Sequence, residues 1–145
     1  MGKARVVEAR GLRYSYRGGA EALKGIDLAV LEGSRVLIIG SNGSGKTTLL
    51  RVILGMLKGY KGEVRVFGYE PYRVPETLRR SISYVPESTK LPGGVRAEDY
   101  LFVTSVVRGC GDYRDKADLL GITGGMLKSR IKWLSQGYKR RVLVA

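Results

Sequence analysis

The nine residues 40–48, GSNGSGKTT, constrain this chain more than any other stretch of its sequence. They match G-x-x-x-x-G-K-[ST], and both flanks are of the kind that pattern requires. Before them, VLII at 36–39 is a continuous apolar run without polar alternation, which predicts a strand buried on both faces. Behind them, leucines, valine and isoleucine recur at helical spacing over 48–57. Glycines at 40, 43 and 45 permit backbone angles that a side chain forbids, so successive N–H groups can turn inward around an anion. A helix opening near Lys46 adds the positive end of its dipole. The expected chemistry is a phosphate cradle formed by Gly40, Ser41, Asn42, Gly43, Ser44, Gly45, Lys46, Thr47 and Thr48. In it Lys46 reaches the β- and γ-phosphates of a nucleotide, the Thr47 hydroxyl ligates Mg²⁺, and the N–H groups of 44–48 hold phosphate oxygens.

The rest of the pattern is mixed α and β. Residues 5–16, rich in β-branched and aromatic types, predict a strand with a turn signal at Gly11. A second, antiparallel strand is expected near 26–30, and a third over 63–67, where polar and apolar residues alternate. Pro75 opens a short expected helix, and 81–85 read as a strand ended by Pro86. Two further helical stretches follow, at 96–108 and 113–122. No repeat or linker separates them from the remainder, so this region reads as an insertion.

Composition narrows the setting. A length of 145 residues with 43% hydrophobic content suits one domain with a real core and room for a subdomain. No apolar run approaches the roughly 18 to 20 residues of a membrane span, and MGKARVVEAR lacks a signal-peptide core, so a soluble intracellular chain is expected. The single Cys110 excludes an internal disulfide and is expected to be packed. With no histidine, a His-based general base or metal ligand is excluded. The formal charge of +13 suggests an anionic partner, but the basic residues are spread along the chain. The exception is the last part, where Lys128, Arg130, Lys132, Lys139, Arg140 and Arg141 meet no acid after Asp118. Solvated helix faces or a partner surface both account for that cluster.

GSNGSGKTTLL together with LSQGYKRRV, beginning at Leu134, resembles the nucleotide-binding domain of ABC-type ATPases, the engines of ATP-binding-cassette transporters. The second stretch separates this family from other proteins with the same phosphate loop. In the family a signature, most often LSGGQ, opens a helix whose serine hydroxyl and glycine N–H contact the γ-phosphate of an ATP held by the opposite subunit. Leu134, Ser135 and Gly137 match, whereas Gln136 and Tyr138 depart from the commonest form. Taken alone, Ser135 reads equally as a helix N-cap. Tyr16, 30 residues before Lys46, lies about where the family places a ring that stacks on adenine, although a strand tyrosine packing on a sheet gives the same pattern. SYVPES at 83–88 aligns with the family's Q-loop and carries Glu87 where a glutamine is usual; a carboxylate there could reach Mg²⁺ directly or through water, or be a surface glutamate in a turn.

The resemblance implies an α/β fold, a P-loop NTPase (RecA-like) core with an N-terminal antiparallel β subdomain and a helical insertion. Its parts would be 1–89 for the β subdomain and core, 90–133 for the helical subdomain, and 134–145 for the signature and the start of its helix. It implies ATP and Mg²⁺ as cofactors, with Lys46 and Glu87 as catalytic candidates. The implied partners are a second nucleotide-binding domain, as homo- or heterodimer, and a transmembrane permease subunit, with the chain peripheral at the cytoplasmic face of the membrane. Some twenty residues after the signature the family places an apolar strand ending in Asp then Glu, and further on a histidine. The sequence stops at Ala145, so the expectation is a domain incomplete at its C-terminus that binds ATP but hydrolyses it poorly. Uncovered apolar surface would then favour self-association. A non-catalytic ATP-binding module is the alternative. A nucleic-acid-associated ATPase of the same type is a further alternative, and nucleic acid is the less expected partner.

Overall fold

The computed structural model describes residues 2–87 and 91–145. The expected boundary between 89 and 90 lies outside the described residues. Backbone contacts divide the chain into two compact units, Met1–Ser81 and Ile82–Ala145.

The first unit is built on a three-stranded antiparallel sheet of order β2-β1-β3, with β1 at Arg5–Ser15, β2 at Glu21–Leu31 and β3 at Lys61–Val66. Alternation along the strands, reset in β1 by an irregularity between Ala9 and Leu12, sends Ala9, Leu12, Leu23 and Val64 to one face, where they are buried. Ala9 faces Leu28 on β2 and Val64 on β3, which fixes the register there. Gly11 does not end β1 but bulges it: its φ is +55°, the pairing with β2 slips between Ala9 and Leu12, and its N–H donates to Asp27 Oδ1 at 2.7 Å. Helix α1, Lys46–Ile53, lays Leu49 and Val52 on the buried face of the sheet. Each such burial contributes about 1.5–3 kcal/mol. A one-turn helix α2, Glu76–Arg79, follows near the end of this unit.

The structure corrects two expectations in this unit. The helix predicted over 48–57 stops after Ile53, because Gly55 adopts φ +72° and turns the chain, its N–H donating to the Val52 carbonyl at 2.9 Å. The strand predicted at 36–39 is not formed, and Val36, Leu37 and Ile39 are exposed, Ile39 at 84%. A strand exists through its ladder of partners, and among the described residues none pairs with this run. Only Ile38 packs against the core of the first unit.

The second unit is helical. It holds α3 at Ala97–Arg108, α4 at Arg114–Leu119, α5 at Gly125–Lys128 and α6 at Gln136–Val144. Glu98 and Asp99 in the first turn of α3 and Arg108 in its last suit the helix dipole, and Gly109, at φ +66°, ends it. Ala97, Leu101, Tyr113, Ala117, Ile122, Ile131, Leu134 and Val142 form one core. The strand predicted at 81–85 is absent for the same reason as that at 36–39, since no ladder partner lies beside it among the described residues. Cys110, expected to be packed, is exposed. It falls one residue past Gly109, in the turn that leaves α3, beyond the helical face that packs.

Candidate nucleotide-binding site

Residues 40–45 form a loop that ends on Gly45, the residue capping the N-terminus of α1. Two of its glycines have close neighbours, and at Gly45 the neighbour is backbone. Gly45 combines φ +92° with an approach so close that a Cβ would overlap the Ala22 carbonyl oxygen of β2 and stand 3.0 Å from Leu23 Cδ2. At Gly40 a Cβ would meet Ser44 Oγ at 2.5 Å. Strand β2 therefore presses on the loop at Gly45, where α1 opens, while at Gly40 the loop closes on its own Ser44 side chain, and glycine supplies the room at both places. A turn from Ser44 N–H to the Ser41 carbonyl, 3.2 Å, closes its middle. Lys46 folds across it, donating to the carbonyls of Gly40 and Ser41 at 2.7 Å each, with Ser44 Oγ at 3.5 Å. Its ammonium is thus held at the loop rather than turned to solvent. Ser41, Asn42, Gly43 and Ser44 are exposed, and Thr47 presents an exposed side chain on the first turn of α1. Cation, helix N-terminus and turned loop meet at one place, an arrangement suited to a polyphosphate.

Tyr16 stands beside this loop. Its hydroxyl shares a 3.2 Å hydrogen bond with Thr48 Oγ1, and its ring packs edge-on against Tyr14 with centroids 5.0 Å apart. Sequence reasoning paired Tyr16 with a base and Thr48 with phosphate, and it missed that the two bond to each other. Thr48 is buried at 7% exposure, so this hydroxyl is its satisfying partner. No sequence signal marks a contact 32 residues apart.

The other predicted residues belong to the second unit. Leu134 is buried in its core, whereas Ser135, Gln136 and Gly137 are exposed at the start of α6. Ser135 caps that helix, its Oγ accepting from Tyr138 N–H at 3.3 Å, so the capping reading of Ser135 holds in the structure. The cap leaves the hydroxyl hydrogen free to donate outward. Glu87 is exposed on a bend.

A glycine-rich loop opening a helix that packs on a sheet has the form found in phosphate-binding α/β proteins. Comparison with known proteins is more specific. A family model described as ABC transporter matches residues 23–145. A protein of Archaeoglobus fulgidus named as an ABC transporter ATP-binding protein is 33% identical over 97% of this chain and 62% of its own length. The cytochrome c biogenesis ATP-binding export protein CcmA of Cupriavidus pinatubonensis is 31% identical, over 97% of this chain and 63% of its own. Among solved structures, the ATP-binding subunit of an ABC transporter superposes with a TM-score of 0.79 at 27% identity, covering 96% of this chain and 60% of that one. The chain belongs to the ABC transporter family, and its fold is that of the family's ATP-binding domains. It spans about three fifths of the length of these relatives.

Proposed function

We propose that this chain is the ATP-binding part of an ABC transporter's ATPase subunit, coupling the binding and hydrolysis of ATP to movement of a solute across a membrane. The observation that carries the reading is the loop 40–45, wedged between β2 and α1 with Lys46 held across it. Gly40, Ser41, Asn42, Gly43, Ser44 and Gly45 surround the phosphates, the N–H groups opening α1 donate to them, and Lys46 exchanges two carbonyl partners for phosphate oxygens. Tyr16, already at the edge of the loop, offers its ring to the adenine.

The donor set fits Mg²⁺ in its usual form. Among the described residues no three His, Cys, Asp or Glu side chains cluster, so no all-protein cage exists there. Magnesium keeps several waters and binds through one or two protein oxygens plus the nucleotide, and the exposed Thr47 hydroxyl is such an oxygen. When bound, the ion would supply charge neutralisation between β- and γ-oxygens. Glu87 would add a carboxylate, directly or through water.

Ser135 and Gly137 would present a hydroxyl and an N–H to the γ-phosphate of an ATP on a second nucleotide-binding domain. A membrane permease is the further partner, with the chain at the cytoplasmic membrane face. Its support is α3, where Phe102, Val103, Val106 and Val107 are each more than half exposed, an apolar surface that a monomer rarely leaves uncovered. No helix among the described residues is long and apolar enough to cross a membrane itself.

A second reading, a module that binds ATP without turnover, is favoured by the position of Glu87: the carboxylate proposed for the metal and for water is exposed on a bend rather than packed in place. Binding and hydrolysis measured on one sample, beside Lys46→Ala, decide between them. Binding lost in the variant with turnover in neither supports the module. Turnover abolished by the variant supports the ATPase, with Glu87 the first carboxylate to substitute. Binding in neither refutes both.

A further inference from the structure

Tyr16, proposed above as the ring that meets the adenine, is held at three points within the first unit. Its carbonyl accepts from the Gly19 N–H at 3.0 Å, which turns the chain just after β1. Its hydroxyl meets Thr48 Oγ1 at 3.2 Å, on the first turn of α1. The third point is the ring itself, whose centroid lies 5.0 Å from that of Tyr14, with the two planes at 87°. Tyr14 belongs to β1, opposite Leu23 of β2, and is half-buried against the core that holds Leu12, Leu23 and Leu49. Exposure thus rises along three alternate residues, from Leu12 at 0% through Tyr14 to Tyr16 at 40%. One ring is anchored in the core, and the ring that it touches is open to solvent.

The first two contacts fix the ends of Tyr16 but not its plane. A backbone turn and a hydrogen bond at the phenol oxygen leave the ring free to rotate about the line from Cβ to the hydroxyl, and that rotation changes the plane on which a base would stack. A neighbour touching the ring stops it, and Tyr14 is such a neighbour in one of the arrangements that ring quadrupoles favour. The right angle matters in a second way. Two perpendicular rings cannot cover each other, so Tyr14 occupies at most one face of Tyr16 and leaves another for a flat base.

We infer that Tyr14 is a positioning residue for base binding: it sets the plane of the Tyr16 ring, so that the ring receives the adenine already ordered. The inference rests on the proposed role of Tyr16 and assigns Tyr14 no contact with the nucleotide. Ordering of the ring is completed in folding rather than in binding, which raises affinity without adding a contact. The effect falls on the base-dependent part of the affinity, since the phosphates are assigned to residues 40–48 rather than to either ring.

The test measures two affinities by calorimetric titration, for ATP and for inorganic tripolyphosphate, which carries the phosphates and no base. The parent chain is compared with Tyr14→Leu, which keeps apolar bulk and removes the ring, with Tyr14→Phe, which keeps the ring, and with Tyr16→Leu. Tyr14→Leu is expected to weaken ATP binding about three- to tenfold while binding tripolyphosphate as the parent does, and Tyr14→Phe is expected to match the parent for both. An equal loss for ATP and tripolyphosphate in Tyr14→Leu and in a second variant, Tyr14→Met, or no binding of either compound, would make Tyr14 part of the core alone and overturn the inference. Unchanged ATP affinity in Tyr14→Leu, alongside loss of the base-dependent part in Tyr16→Leu, would overturn the role of Tyr14 and leave that of Tyr16 standing. If Tyr16→Leu binds both compounds as the parent does, the adenine role of Tyr16 falls and the inference falls with it.

Discussion

Replacing Gly45 by alanine separates two costs that the loop imposes on its backbone. The first is conformational: a residue with a Cβ at φ +92° is strained by about 1–2 kcal/mol. The second is steric, because the new methyl overlaps the Ala22 carbonyl oxygen, which is part of β2 and cannot swing aside as a side chain would. Forcing an extra carbon into such a contact costs about a further 1–3 kcal/mol. Gly43 supplies the control. It has φ +82° and nothing within 4 Å of the place a methyl would take, so Gly43→Ala carries only the first cost. Gly45→Ala is therefore expected to destabilise the first unit by at least about 1 kcal/mol more than Gly43→Ala, about 4–8 °C in Tm for a unit of this size. Thermal unfolding by circular dichroism reads the difference, and titration with a fluorescent ATP analogue should show the larger loss of affinity in Gly45→Ala. Equal melting temperatures for the two variants would refute the claim that β2 presses on the loop at this residue.

Two other outcomes follow from single contacts. Tyr16→Phe keeps the ring but removes the partner of buried Thr48 Oγ1, so it should lower stability by about 1–3 kcal/mol in urea unfolding while leaving affinity for ATP close to that of the parent; a large loss of affinity would mean that the hydroxyl, not the ring, serves the nucleotide. Asp112 accepts from the Arg114 backbone N–H at 2.9 Å and faces its guanidinium, and these hold its carboxyl below the ordinary range. Because the folded value lies below the unfolded one, the contribution is present at neutral pH and is lost as pH falls through the folded value. Asp112→Asn should therefore be less stable than the parent near neutral pH and converge with it under acid conditions, as urea midpoints across pH would reveal.

The sequence was most legible where chemistry is local. Residues 40–48 dictate a turned loop and a helix start through glycine geometry and spacing alone, and the structure has both. Ser135 capping α6 was equally readable, since a cap depends on residues three apart. The strands were visible in β-branched and aromatic content for β1, in part for β2, and in alternation for β3, although Gly11 proved to be a bulge inside β1, because a glycine at positive φ serves either purpose and only the neighbouring strand decides.

What the sequence determined by itself, then, is the phosphate loop, the family and the identity of the candidate ligating groups. Tertiary structure alone decided whether apolar runs become strands. VLII at 36–39 has the composition of a buried strand, yet Leu37 and Ile39 are more than four fifths exposed, because a strand is made by hydrogen bonds to another segment and no local pattern supplies that segment. Tertiary structure also joined Tyr16 to Thr48 and folded Lys139 toward Lys132. The first of these contacts spans a separation at which sequence spacing carries no geometry, and the second crosses the turn between the 3₁₀ turn Ile131–Trp133 and α6, so only the packed chain could bring the groups together.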